Sequence, residues 1–268
     1  MSQNALLTEA LKRYNYCLIM IPSNLVQIYG IYKIENNSLE KVGNLKDYFK
    51  ITKTKYPPKT EESSDIPMDI EGAKSGLVKF KAFLKPLEFI INAFKGSFTG
   101  KINAETNFSD IDSILFQLDG LKVEKIESTS IFNDYLQIAD VKTKSMANLE
   151  DLQSGNLYVL TSILKVNKFI LSAFDKNGQS IDIEATLSNI AEGGLNFQRE
   201  SKEIIKHKLQ SKKGFFIPIG ARFAQIAKDP VSGIFRLYDR NLSDTPVRGE
   251  NNLPGNYYSA DGFIGLTE

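Results

Sequence analysis

The chain has 268 residues, 42% of them hydrophobic, with one histidine, one cysteine and a net charge of +1. That length and apolar content suffice for one large domain or two small ones with a substantial core, and near-neutrality gives no electrostatic case for nucleic acid binding. One cysteine excludes an intrachain disulfide and fits a reducing compartment; no signal peptide is visible, and no stretch reaches the roughly 18 apolar residues of a transmembrane helix.

In chain order, 4–14 reads as a short amphipathic helix, with Leu7, Ala10, Leu11 and Tyr14 at three-and-four spacing. Residues 17–21 and 25–34 read as strands separated by Pro22-Ser23-Asn24, and 52–65, with Pro57-Pro58, as a polar loop. Residues 66–71 alternate strictly. At 76–95 the period changes: Leu77, Phe80, Leu84, Leu87, Ile91 and Phe94 form a helix stripe that Pro86 should kink. Alternation returns at 101–108, with Ile102, Ala104, Thr106 and Phe108 on one face of a half-buried strand.

A strand region at 114–126 follows, with a bulge or turn expected near Gly120. Leu149-Glu150-Asp151-Leu152 suggests a short helix. Residues 169–175 and 180–187 flank Asn177-Gly178, the strongest short-range hairpin signal, because both residue types tolerate positive φ. Residues 195–199, 215–227 and 234–239 complete the strands, with Phe215, Ile217, Ile219, Ala221 and Phe223 expected on one face. The Asn, Gly and Pro residues of 241–258 read as a loop leading to a weakly structured tail. Strands outnumber helices and are often joined by turns too short for crossovers, so the fold class is α+β: a twisted, mostly antiparallel sheet with peripheral helices.

Groups for bond chemistry are missing. His207 sits in Lys206-His207-Lys208 without ligand spacing, Cys17 lies in an apolar strand as a small hydrophobe, and no phosphate cradle or nucleophile elbow is present. Glu61-Glu62 falls in the polar loop as a solvated pair. The expectation is therefore a protein that is not an enzyme and carries no metal. The strongest charge cluster is Arg199, Lys202, Lys206, Lys208, Lys212 and Lys213, which reads either as a solvated face or as a contact for anionic lipid. Residues 249–268 hold three acids and no Lys or Arg, so 1–248 carries +4. Removing that tail leaves a body that anionic lipid attracts more strongly.

Tyr16-Cys17-Leu18-Ile19-Met20-Ile21-Pro22, the apolar run 25–32, Lys41-Val42-Gly43-Asn44-Leu45-Lys46-Asp47-Tyr48-Phe49 and Gly214-Phe215-Phe216-Ile217-Pro218-Ile219-Gly220-Ala221-Arg222-Phe223 together resemble the bacterial gasdermins. The likeness covers nearly the whole chain as a pattern of apolar positions and turns. It implies a cytoplasmic, autoinhibited pore-forming body at 1–248 with an inhibitory segment at 249–268. It further implies a caspase-like protease, encoded nearby, that removes the segment. The released bodies would oligomerise with one another in the inner membrane as a large β-barrel pore, a cell-death response in anti-phage defence.

Closure into a barrel lets strands span lipid with every backbone group paired. The inserting material is expected at about 66–126 and 156–197, with Ile102, Ala104, Phe108, Phe169, Leu171, Ile181, Ile183 and Leu187 facing lipid. The bond after Arg248, before Gly249, is the preferred cleavage point, with Arg240 and Asp244 as weaker options. Phe263, Ile264 and Leu266 point to a docked rather than frayed terminus. The family's N-terminal palmitoylated cysteine has no counterpart at Ser2, Gln3 or Asn4; Cys17 is the sole candidate for a palmitoyl group, with simple burial the competing reading. Beside this stands an alternative function, a static lipid-binding or protein-interaction β domain.

Overall fold

The computed structural model describes residues 11–19, 26–52, 55–66, 75–79, 110–142, 146–183, 195–199, 205–211 and 216–242. Among these, the strands are β1 (Cys17–Leu18), β2 (Gly30–Glu35), β3 (Ser38–Asn44), β4 (Thr60–Ser63), β5 (Ser75–Lys79), β6 (Ser113–Asp119), β7 (Lys122–Ile126), β8 (Leu157–Val166), β9 (Lys168–Phe174), β10 (Ser180–Ile181), β11 (Leu195–Arg199), β12 (His207–Ser211), β13 (Ile217–Lys228) and β14 (Phe235–Asp239). The helices are α1 (Leu45–Tyr48), α2 (Thr129–Ile138) and α3 (Met146–Ser154), and residues 11–13 are helical, as expected for the end of 4–14. They confirm an α+β, antiparallel architecture, divided into two sheets.

The body sheet runs β1-β13-β8-β2-β3, with β14 beside β13, β7 beside β8 and β4 beside β7. Its central strand β8 is almost wholly apolar and almost wholly buried, as a strand covered on both faces must be. One edge of β8 pairs with β13 and the other with β2 and β7. All three helices pack on this sheet, α1 on β3, α2 on β14 and α3 on β13 and β8. Ser128 caps α2 by accepting from the Ile131 amide at 3.3 Å. Phe132, Tyr135 and Leu136 then face the core, where Phe132 meets Tyr29 edge-on at 5.5 Å.

The second sheet runs β11-β12-β9-β6-β5, with β10 on β9. The turn at 175–179 bears out the Asn177-Gly178 hairpin, though only Gly178 takes positive φ, at 77°. Asp175 and Gln179 close the ladder, and the Gly178 amide reaches the Asp175 carbonyl at 3.1 Å. This is a three-residue loop with a glycine bulge rather than a two-residue turn.

Several expectations are corrected. Residues 26–29 form a turn, not the start of a strand: Tyr29 has φ 69° and the Gly30 amide closes onto Gln27. The expected loop at 52–65 contains β4, where Glu61 and Glu62 are exposed, as expected, and face Lys125 and Lys122 of β7 at 3.1 and 3.5 Å. Residues 76–79 are strand rather than helix, since pairing with β6 overrides a three-and-four pattern that four residues cannot establish. In β13, register irregularities at Pro218/Gly220 and Arg222/Phe223 break the alternation, so Ile217, Ala221 and Phe223 are buried but Ile219 is not. Expectations at 4–10, 20–21, 25, 53–54, 67–71, 80–95, 101–108, 184–187, 215 and 243–258 lie outside the described residues.

Candidate functional site

The second sheet has two unlike faces. Along β9, Phe169, Leu171 and Ala173 are buried, and across the ladder Leu118 and Ile114 share their burial. Between them Lys168, Ile170 and Phe174 are half-buried and Ser172 is buried, so the sheet has one apolar and one mixed face. The structure thus brings Phe169 and Leu171 together. Ile183 is buried and Ile181 half-buried beyond the hairpin, while Ile102, Ala104, Phe108 and Leu187 lie outside the described residues. Among the described residues, one core cluster gathers around β2, β8, β13 and the helices; the buried residues of β6 and β9 lie outside it, as do Val123, Leu164, Val166 and Ile217 at the end of the body sheet nearest the corner.

The sheets meet at a corner. β6 leaves the second sheet and continues through Gly120 and Leu121 into β7 of the body; β9 is joined to β8 by Asn167 alone. Gly120 has φ 62°, and a Cβ there would lie 1.9 Å from Asn167 Oδ1. The Gly120 amide turns back to Asp119 Oδ1 at 2.8 Å, and Lys168 pairs with Asp119 at 3.2 Å. Asn167 Oδ1 is buried with no hydrogen-bond partner. Sequence reasoning found the turn at Gly120 but not that it changes sheets, because pairing partners distant in sequence decide that.

Of the basic cluster, Arg199 and Lys208 fall within one hairpin, Arg199 opposite His207 and Lys208 opposite Gln198 and Ile170. Lys206 precedes it, half-buried. His207, expected in a solvated charge run, is a strand residue paired with Leu171. Lys202, Lys212 and Lys213 lie outside the described residues.

The third feature is the root of the C-terminal tail. The helical turn ending at Tyr14 closes with the Tyr16 amide on the Leu11 carbonyl at 2.8 Å and the Asn15 amide on Lys12 at 2.9 Å, a Schellman cap with Asn15, at φ 58°, in the left-handed position. That conformation aims the Asn15 carboxamide at the chain leaving β14. Its Nδ2 donates to the Arg240 carbonyl at 2.9 Å and its Oδ1 accepts from the Leu242 amide at 3.1 Å. Cys17 Sγ, fully buried, donates to the Leu242 carbonyl at 2.9 Å. Tyr16 beside it bonds Ser162 Oγ at 2.8 Å, and burial raises its phenol above the usual range.

Arg240 Nε donates to Gln225 Oε1 at 2.8 Å, so that this cleavage candidate is held by both backbone and side chain. Asp244, Arg248, Gly249, Phe263, Ile264 and Leu266 lie outside the described residues. Asn15 escaped sequence reasoning, although an asparagine just past a helix is a capping signal.

Among the described residues, no three or more His, Cys, Asp and Glu side chains group to hold a metal, and no helix is long and apolar enough to cross a membrane. The profile of the Bacterial Gasdermin Family matches residues 19–233. Gasdermin bGSDM of Gillisia limnaea is 24% identical over 199 residues, covering 74% of this chain and 73% of that protein. Gasdermin bGSDM of Lysobacter enzymogenes is 25% identical over 176 residues, covering 65% and 63%. The solved structure of a bacterial gasdermin from Bradyrhizobium tropiciagri aligns with TM-score 0.59 over 87% of this chain and 90% of that one, at 13% identity.

Proposed function

The chain belongs to the bacterial gasdermin family, a family of pore-forming effectors rather than enzymes, and on that premise we propose that it is held inactive by its own C-terminal segment until a protease cuts that segment away. Residues 1–248 form the pore-forming body and 249–268 the inhibitory tail. Phe263, Ile264 and Leu266 dock the tail, and the bond after Arg248 is the one cut; Arg240, pinned by Asn15 and Gln225, is a poorer substrate because a protease needs extended, unpaired chain. The protease is caspase-like and encoded nearby. The resting protein is cytoplasmic; once cut it assembles with further copies in the inner membrane, and the resulting cell death limits phage spread.

The observation that supports this reading is the second sheet: antiparallel strands with one apolar face, forming a sheet separate from that of the body. Such strands satisfy their backbone in lipid once their edges are closed into a barrel. Removal of three acids with the tail leaves a body of charge +4, and Arg199, Lys202, Lys206, Lys208, Lys212 and Lys213 supply the contact for anionic headgroups. Cys17 is read first as a buried small hydrophobe; a palmitoyl group on it would require the buried β1 corner to open first.

Dye release from liposomes containing anionic lipid tests the proposal, using the full chain with a site for a sequence-specific protease inserted after Arg248. Release only after cleavage is expected. Release from neither form, with the cut body still folded, supports the static lipid-binding or protein-interaction domain instead.

A further inference from the structure

We propose that the Gly120–Asn167 corner is the hinge on which the second sheet swings out from the body, and that it opens without any change of strand register. The inference rests on the pore-forming reading and specifies how the resting fold reaches it. In the second sheet, β6 pairs with β9 from Ser113–Phe174 to Asp119–Lys168, and in the body β7 pairs with β8 from Lys122–Lys165 to Lys125–Ser162. The residue numbers of every pair sum to 287 on both sides of the corner. The two ladders are therefore one ladder, interrupted only where Gly120 would face Asn167 and Leu121 would face Val166.

Straightening the corner fills those two places and leaves every existing pair intact. No slip is needed, and a slip is what would exchange the apolar and mixed faces. β6 and β9 have 7 residues each, fewer than the ~9–11 of a membrane-spanning strand. A straight ladder lets them stand out from the body as continuations of β7 and β8, with no unpaired backbone at the membrane surface, where such groups are costly.

On the other side of β9 the chain carries slack. The sum for β12 with β9 is 378, and for β13 with β8 it begins at 383, so five extra residues lie between the two ladders there. One flank of the hinge is thus in register and the other has length to spare.

Asp119 holds the resting corner through the Gly120 amide and Lys168, and the corner depends on a glycine, which takes this backbone conformation without strain. Gly120 sits at a φ that other residues avoid, Asn167 Oδ1 is buried unpaired, and an open cleft of about 400 Å³ lies between 64–66 and 118–121.

The test compares liposome leakage rates after cleavage on the full chain carrying the inserted protease site, so that each variant folds with its tail in place. Gly120→Val penalises the left-handed conformation and favours the extended one, so leakage should accelerate roughly tenfold. Gly233→Val imposes the same backbone penalty in the β13–β14 turn, at φ 70°, and should leave the rate unchanged.

Equal acceleration in both variants, or slowed leakage in a folded Gly120→Val, overturns the hinge while wild-type leakage keeps the pore. Absence of leakage from the cleaved wild type overturns both. In the wild type, hydrogen exchange at 120–121 and 166–167 should slow on assembly; unchanged exchange there in leaking samples also overturns the hinge.

Discussion

The two sheets share a chain, a ladder register and a corner, yet they are secured differently. The body sheet carries all three described helices, the contiguous core cluster and the described aromatic pairs, including Tyr32 against Phe223 at 4.9 Å and Phe49 against Phe235 at 5.9 Å. The second sheet has an apolar face but, among the described residues, no helix and no share in that cluster. Among the described residues, packing is concentrated on the body sheet, the arrangement that the proposed swing of the second sheet requires. Cooperative units of unequal stability within one domain are the physical basis of such partial opening.

The sharpest way to break the comparison is to weaken each side in turn. Phe132→Ala, at a fully buried ring between Tyr29 and Tyr135, should cost about 3–5 kcal/mol in global stability by chemical denaturation. Leu171→Ala, equally buried in the second sheet, should instead speed exchange locally across 168–174; an equal drop in the global midpoint would contradict the division.

Next in size is Ile181→Lys. The side chain is half-buried, so resting stability should change little, but a lysine at the lipid face costs roughly 2–4 kcal/mol at mid-bilayer. Dye release should be lost, and retained release would place Ile181 outside the inserted surface.

The tail root gives a smaller effect. Asn15→Gly keeps the left-handed backbone and removes the carboxamide that holds Arg240 and Leu242. Losing those bonds is worth about 1 kcal/mol, so trypsin should cut after Arg240 roughly five times faster, read by mass spectrometry. Unaltered cutting would show that the carboxamide does not guard that bond.

The smallest concerns Asp229, which accepts from the Val231 and Ser232 amides and the Ser232 hydroxyl, bonds that hold its carboxyl below the usual carboxylate range. A depressed folded pKa contributes stability above the unfolded value that is lost as pH falls through the folded one. Asp229→Asn should therefore be slightly less stable than wild type at neutral pH, with the difference closing in acid. A difference independent of pH would remove the carboxylate as its cause.

The legible part of this fold was local. Alternation and turn residues revealed the 169–181 hairpin, the turn at Gly120 and the strand ending at Asp239, because each is decided by neighbours in sequence. Four kinds of feature were not legible. β4 is a polar edge strand whose charges look like a loop until Lys122 and Lys125 are placed opposite them. β5 carries apolar residues that fit a helix stripe until β6 pairs with it.

Helix α2 had a readable signal, Ser128 before Ile131, Phe132, Tyr135 and Leu136, that periodicity alone could have found. The role of Asn15 and the shared register across Gly120 and Asn167 depend on contacts between residues far apart in the chain, and no local pattern encodes them. Family likeness supplied the pore-forming reading where composition supplied only an absence of chemistry.

The most direct measurement of the division is hydrogen exchange on the full chain, before and after cleavage on anionic liposomes. Amides of β2, β8 and β13 should keep their resting protection, while those of β6 and β9 pass from easily opened in the resting state to strongly protected in the assembly. Loss of protection in the body strands, or unchanged exchange in β6 and β9 while dye escapes, would contradict a fixed body and a moving sheet.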